Sequence, residues 1–311
     1  MKFKKAVLVN ISDTHFDKEY WAQIDELVEK RISLSRDDPK LMIELKDCDC
    51  LMLGFQVPTD SDIFDAAPNL KLVNILATAY GTVNLLEAKK RNIAVCNLGG
   101  YSTEAVAEFT IAILLYVIRQ IEEGIKRGKS SNYGFEGMSA RELKGSNFGV
   151  IGLGNIGGRV AELASGFGAN VSYWSRNKKN TPFTYKELDK LLVESDYISV
   201  NVAEDSETIN LLNEKNIPKI RAGTVLISTV PPDIINADAL ASRLAQGDIT
   251  FASDHPDEMT KENLAKIKKF NNAILIPPIA FITAEARINK QEIFVGNLKA
   301  ALAGKPQNKV N

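Results

Sequence analysis

The sequence predicts an α/β fold of doubly wound parallel sheets, and three observations predict it. Short apolar runs of strand length alternate with stretches of helical spacing along the chain. One stretch, Phe148 to Arg176, reads as strand, glycine turn, helix and second strand without a gap. The chain has 311 residues, 45% hydrophobic and 25% charged, which is enough for two domains of ordinary globular composition.

Ala6–Asn10 reads as the first strand, followed by a helix from Tyr20 to Lys30 and a strand at Cys50–Gly54. Leu70–Leu76 and Ile93–Cys96 continue the strands. From Glu104 to Ile118 no glycine interrupts the helical spacing, and Val106, Phe109, Ile113, Leu114 and Val117 give a broad apolar face. This helix is therefore expected to be a buried connector between domains. After Arg176 come a polar loop over 177–184, a helix over 186–193 and a strand at Tyr197–Val202. The rest reads as a strand at Thr224–Ser228, a helix over 237–246, a strand at Thr250–Ser253, a helix over 261–269 and a strand at Ala273–Ile276. Such a run of βα units points to a doubly wound parallel sheet. The polar tail Gly304–Asn311 is expected to be disordered.

Within the central stretch, Phe148–Ile151 is a buried-strand pattern, and Gly152-x-Gly154-x-x-Gly157 follows it directly. Gly152 permits a tight turn, Gly154 lets the backbone approach a pyrophosphate, and Gly157 lets the helix pack closely on the strand. That helix begins at Asn155 and Ile156, where free N–H groups and the macrodipole favour a phosphate. Val160, Leu163 and Phe167 keep helical spacing, and a second strand follows at Val171–Trp174, so the unit reads as a Rossmann-like dinucleotide site. An NAD site of this kind places an acid about 20 residues past the glycines, on the ribose hydroxyls. Here Ser175 stands there, followed by Arg176, Asn177, Lys178 and Lys179. A hydroxyl and an Arg fork suit a 2′-phosphate, so NADP is favoured. NAD stays open, because Arg also stacks on adenine and a basic loop is often only a solvated one.

The charge balance gives no reason to expect other large partners. Lys and Arg total 38 against 39 Asp and Glu, a formal net charge of −1, so neither nucleic acid nor an anionic membrane is indicated. The start, MKFKKAVLVNIS, has too short an apolar run for a signal peptide or a membrane span, which makes cytoplasmic residence the expectation. Cys48, Cys50 and Cys96 cannot build a disulfide framework. With only His15 and His255 beside them, no metal-ligand spacing exists.

Several segments resemble the D-isomer-specific 2-hydroxyacid dehydrogenases, over nearly the whole chain. They are Asn97–Glu108 (NLGGYSTEAVAE), Glu142-Leu-Lys-Gly145 before the cofactor strand, Tyr197–Asn201, Glu207-Thr208, Gly223–Thr229 and Asp254. The resemblance implies two Rossmann-like domains, a split substrate domain at 1–98 plus 280–311 around a cofactor domain at 99–279. Their cleft would hold a small-molecule substrate. It implies cofactor contacts from Asn201, Thr208, Ser228 and Thr229, with Asp254 on the nicotinamide carboxamide, and a homodimer formed through the cofactor domain and its long helix.

The family's chemistry needs an Arg that binds the substrate carboxylate, a His that moves the proton accompanying hydride transfer, and a Glu that holds the His charged. Pro231 stands where that Arg belongs, and Pro278 stands in the His position of Pro277-Pro278-Ile279-Ala280. The offset of the family's Glu from Asp254 lands on Met259, with Glu258 in register only if the loop is one residue shorter. In the substrate loop, Tyr80-Gly81-Thr82-Val83 keeps the glycine but has Val83 in place of the usual acid. Misregistered loops would also explain the prolines, although both lie beside matched segments.

Proline neither transfers a proton nor binds a carboxylate, so acid catalysis worth roughly 10²–10⁴-fold needs another donor. The candidates are His255, with a loop-capping histidine as the structural alternative, then Glu258, Tyr80 and the N–H groups beside Gly81. Two readings follow: an oxidoreductase with a remodelled site, or an inactive dinucleotide-binding sensor or scaffold on the same fold. The sequence does not identify the substrate.

Overall fold

The computed structural model describes residues 1–311. It contains two compact units, Met1–Ser102 with Thr283–Asn311, and Thr103–Ile282. No helix is long and apolar enough to cross a membrane.

The first unit runs β1 (Ala6–Val9), α1 (Lys18–Leu27), β2 (Arg31–Leu34), α2 (Leu41–Glu44), β3 (Cys50–Leu53), α3 (Ser61–Ala66), β4 (Leu72–Ile75), α4 (Leu85–Lys90) and β5 (Ala94–Cys96). The strands form one parallel sheet in the order β2-β1-β3-β4-β5. β1, β3 and β4 are buried at every position, because helices cover both faces; this is why they read as unbroken apolar runs rather than alternating ones. Val7, Leu51 and Val73 point into one core, and Leu8, Met52 and Leu72 into the other.

The second unit opens with α5 (Thr103–Ile118) and α6 (Ile121–Lys129). Then follow β6 (Asn147–Ile151), α7 (Asn155–Gly166), β7 (Asn170–Trp174), β8 (Thr184–Tyr185), α8 (Leu188–Glu194), β9 (Tyr197–Val200), β10 (Val225–Ser228), α9 (Ala237–Leu244), β11 (Thr250–Ser253), α10 (Lys261–Ile267) and β12 (Ala273–Leu275). All are parallel in the order β12-β11-β10-β9-β6-β7-β8. The chain reverses its direction of growth between β6 and β9, and a doubly wound sheet binds ligands outside the carboxyl ends at that point. The long helix expected as a connector lies within this unit. There α5 packs on α7 and β10, burying Ala107, Thr110, Ile111, Leu114 and Ile118. Phe109, Ile113 and Val117 are only half-buried.

The chain returns to the first unit through α11 (Ala284–Leu302), which the sequence reading did not resolve. Its buried positions include Gln291 and Asn297, so it lacks a clean apolar stripe. Asn297 is fully buried and donates to Asn74 Oδ1 at 3.0 Å and to the Asn97 carbonyl at 3.0 Å. The tail corrects the expectation of disorder. Asn308 donates to Asn297 Oδ1 at 2.8 Å, Val310 N–H bonds to the Val95 carbonyl at 2.9 Å, and Asn311 accepts from Val95 N–H at 2.9 Å. Polar tail residues dock here by hydrogen-bonding an open strand edge, a signal that apolar patterning cannot report.

Candidate active site

The glycine turn after β6 is built as a phosphate cradle. Gly152 has φ +94°, and a Cβ on it would lie 2.8 Å from the Asn201 backbone. A Cβ on Gly157 would lie 1.9 Å from the Gly152 carbonyl oxygen, so the start of α7 can approach β6 only without a side chain there. Gly154 differs: a Cβ on it would meet nothing within 4 Å. Gly154 is also the N-cap of α7 and offers no capping side chain, so the first N–H groups, from exposed Asn155 and half-buried Ile156, remain free of protein acceptors. At the end of β9, Asn201 donates to Ser199 Oγ at 2.8 Å, while its Oδ1 is buried without a partner. Open space over Gly154, an uncapped helix and an orphaned acceptor together fit a dinucleotide.

The other expected cofactor residues divide. Ser228 at the end of β10 is 2% exposed, its hydroxyl makes no hydrogen bond, and it lines a cavity of about 230 Å³ with Asn210, Asp233, Phe251 and Met259. Thr229 follows it on a half-buried position. The Thr208 hydroxyl is engaged within its own loop. It is buried, donates to the Ala203 carbonyl at 2.7 Å and accepts from Asp205 N–H at 2.8 Å, and so closes its own loop.

The corner at the end of β7 also differs from the open phosphate pocket expected there. The Ser175 hydroxyl donates to the Asn177 carbonyl at 2.6 Å. Arg176 pairs with Asp205, and with Glu207 at 2.8 Å, and Lys178 sits 4.9 Å from the centre of the Tyr185 ring. The acids come from the loop after β9, which no local reading of β7 could supply.

Asp254 and His255 follow β11 at its carboxyl end. Asp254 is fully buried, and its two oxygens have different partners: Oδ1 lies 2.7 Å from His255 Nδ1, and Oδ2 accepts from Ala280 N–H at 3.2 Å. Asp254, expected on a nicotinamide carboxamide, is engaged here by His255 and by Ala280, and Glu258 makes no hydrogen bond to the ring. Burial pulls the His255 pKa down, but the bond to Asp254 and the charges of Asp254, Glu258 and Asp257 outweigh it and leave it raised above 6.5. Glu258 is raised by partial desolvation, against the pull of His255, with Asp257, Glu204 and Asp254 adding repulsion.

Ala280 belongs to the segment carrying Pro278, so Asp254, the partner of His255, is bonded to that segment across the neighbouring strand. The Nδ1 bond to a buried carboxylate leaves Nε2 as the outward nitrogen, with no protein partner. Pro231 caps a 3₁₀ turn at Pro232–Ile234. Tyr80 and Gly81 lie in the first unit. Tyr80 is 41% exposed, and a Cβ on Gly81 would meet nothing within 4 Å, so the backbone there is open to a small anion.

Residues 111–280 match the family model for the D-isomer specific 2-hydroxyacid dehydrogenase NAD binding domain. A glyoxylate reductase of Thermofilum pendens is 34% identical over 282 residues, covering 85% of this chain and 81% of the relative. A hydroxypyruvate reductase of Blautia hydrogenotrophica is 29% identical, covering 92% of this chain and 91% of the relative. The structure of D-lactate dehydrogenase from Aquifex aeolicus, complexed with NAD and lactic acid, superposes with a TM-score of 0.83 at 26% identity and covers 96% of both chains. The fold is shared as well with an acyclic imino acid reductase bound to NADPH and D-Arg, at a TM-score of 0.88, 24% identity and coverage of 98% of this chain and 100% of the other.

Proposed function

Because the chain belongs to the D-isomer-specific 2-hydroxyacid dehydrogenase family, we propose that it is an NAD(P)-dependent oxidoreductase acting on a small 2-oxo or 2-hydroxy acid, with His255 as its proton-transfer group. The observation that carries this reading is the buried Asp254 carboxylate 2.7 Å from His255 Nδ1 at the carboxyl end of β11. When bound, the nicotinamide supplies or accepts the hydride. Gly152, Gly154, Gly157, Asn155 and Ile156 hold the pyrophosphate. Asn201, Ser228 and Thr229 serve the nicotinamide end. Ser175 and Arg176 meet the adenosine ribose, where Arg176 is the group able to bind a 2′-phosphate and admit NADP.

His255 Nε2 holds the proton that passes to the carbonyl oxygen in reduction and takes it back in oxidation, and Asp254 fixes the ring's tautomer and stabilises its charged form. The first unit is read as the substrate domain, with the N–H groups beside Gly81 and the Tyr80 hydroxyl as its candidate groups for a small anion. Cytoplasmic residence fits three free, buried cysteines.

The test is oxidation of NADPH and NADH, followed by absorbance, with glyoxylate, hydroxypyruvate, pyruvate and bulkier 2-oxo acids, beside cofactor-binding fluorescence on the same sample. Turnover is expected with at least one acid. Pro231 favours the second reading, a dinucleotide-binding sensor or scaffold, and tight binding without turnover of these acids would leave either an unconventional substrate or that reading.

A homodimer through the second unit is the proposed assembly. It is supported by the half-buried Phe109, Ile113 and Val117 on α5 and by Ile121, Ile125, Tyr133 and Phe135, which are 40%, 50%, 82% and 79% exposed. Sedimentation equilibrium is expected to give twice the 34.2 kDa chain mass, and Ile125→Glu with Phe135→Glu to give the chain mass alone. A monomer in the parent protein would refute the assembly.

A further inference from the structure

The corner that meets the adenosine ribose is already filled from within the chain. Arg176 stands at the end of β7 with its guanidinium bonded by Asp205 and, through Nη1, by Glu207 Oε2 at 2.8 Å. Asp205 is not a free surface acid that drifts onto the Arg. Its Oδ1 accepts from Glu207 N–H at 2.9 Å and Thr208 N–H at 3.1 Å, while Oδ2 faces the guanidinium. The loop after β9 therefore presents a fixed carboxylate to Arg176. The neighbouring donors are occupied too, Ser175 by the Asn177 carbonyl and Lys178 by the face of Tyr185. Two carboxylates on one guanidinium exceed what that cation neutralises.

We infer that Asp205 and Glu207 are specificity-determining residues that hold Arg176 against an adenosine 2′-phosphate. They weaken NADPH selectively and leave NADH, whose ribose hydroxyls are neutral, little affected. The inference rests on the dinucleotide-binding reading above. A 2′-phosphate carries nearly two negative charges at neutral pH and brings them beside two more on Asp205 and Glu207. To bind Arg176 it must first take the guanidinium from both acids, and it is repelled by them while it does so. Arg176 and its partners are all at least partly exposed, so the latch is weak enough for a phosphate to open. Selectivity is then a difference between an attractive Arg and a built-in competitor for it. The short span from Asp205 to Glu207 sets that difference, rather than the end of β7 alone.

The experiment measures NADPH and NADH dissociation constants by cofactor fluorescence for the parent, Glu207→Gln, and Asp205→Asn with Glu207→Gln. The NADPH constant is expected to fall about threefold in the single variant and about tenfold in the double, with the NADH constant changed less than twofold. In an Arg176→Ala background the same substitutions should improve NADPH binding by less than threefold. Equal shifts for both nucleotides would overturn the inference, since that marks a loop repacked rather than a latch released. An NADPH constant unchanged in both acid variants would overturn it as well, while leaving the dinucleotide site intact. Glu207→Gln guards against a fold effect, because Glu207 has no other side-chain bond and Asp205 keeps its turn in that variant. Absence of binding of either nucleotide to the parent would instead remove the dinucleotide reading, and this inference with it.

Discussion

Gly154→Trp is expected to fold like the parent and to lose NADH and NADPH binding by roughly a hundredfold or more. A Cβ at Gly154 would meet no protein atom within 4 Å, so a side chain can leave the backbone there without a clash and the melting temperature should stay within a few degrees. That room is where a pyrophosphate would lie against the first N–H groups of α7. Filling it removes on the order of two charge-assisted hydrogen bonds, together worth roughly 3 kcal/mol. Gly157 gives the contrast. Its Cβ would fall 1.9 Å from the Gly152 carbonyl oxygen, a backbone atom that cannot swing aside, so Gly157→Ala should lower both binding and the melting temperature. Thermal melts and fluorescence titrations on the two variants separate the cases. Near-parental binding by Gly154→Trp would refute the cradle.

The difference between these glycines was legible in the motif, because each position has a different duty in one recurring turn. Other parts of the site were not legible from residue type. Arg176 reads as a phosphate fork until Asp205 and Glu207 arrive from another strand's loop. Thr208 reads as a ligand contact until its hydroxyl is seen closing its own turn. The first partner is distant in sequence and the second is local, and residue type carries no record of either bond. The fold is legible where burial is two-sided and apolar, as in β1, β3 and β10. It is obscured where polar groups are buried in pairs, as at Gln291 and Asn297 of α11, whose partners Asp17 and Asn74 lie far away in sequence. The ordered tail is the same effect at a sheet edge.

Pro278 reads as standing in the family's His position, and the pairing of His255 with the Asp254 carboxylate is visible only in three dimensions. Asp254 and His255 are adjacent in sequence, and adjacent residues on an extended strand point to opposite faces. Only after β11 ends can the chain turn the imidazole back onto its neighbour's carboxylate. The same carboxylate bonds Ala280, which ties His255 to the segment where the family's histidine would have stood. In the proposed function His255 thus has an acid partner of its own in Asp254.

His255→Gln should therefore lower kcat for reduction by roughly 10²–10⁴-fold while KM changes little, as expected for a group that acts in proton transfer rather than binding. The pH dependence gives a sharper check. The bond to Asp254 and the surrounding carboxylates raise the His255 pKa above 6.5. Reduction needs the charged ring, so its rate should hold through and above pH 6.5 and fall as pH passes the raised value, while oxidation should rise over the same interval. Folding stability follows the same sign. The contribution of charged His255 is complete below 6.5 and is lost as pH climbs through the folded-state value. Asp254→Asn keeps an acceptor for Ala280 but removes the charge, so the limb for reduction should move to lower pH. Glu258→Gln should move it less, since Glu258 acts on the ring only through space. A limb that stays put in Asp254→Asn, or a His255→Gln variant with undiminished kcat, would place proton transfer on another group and make His255 a loop histidine after all.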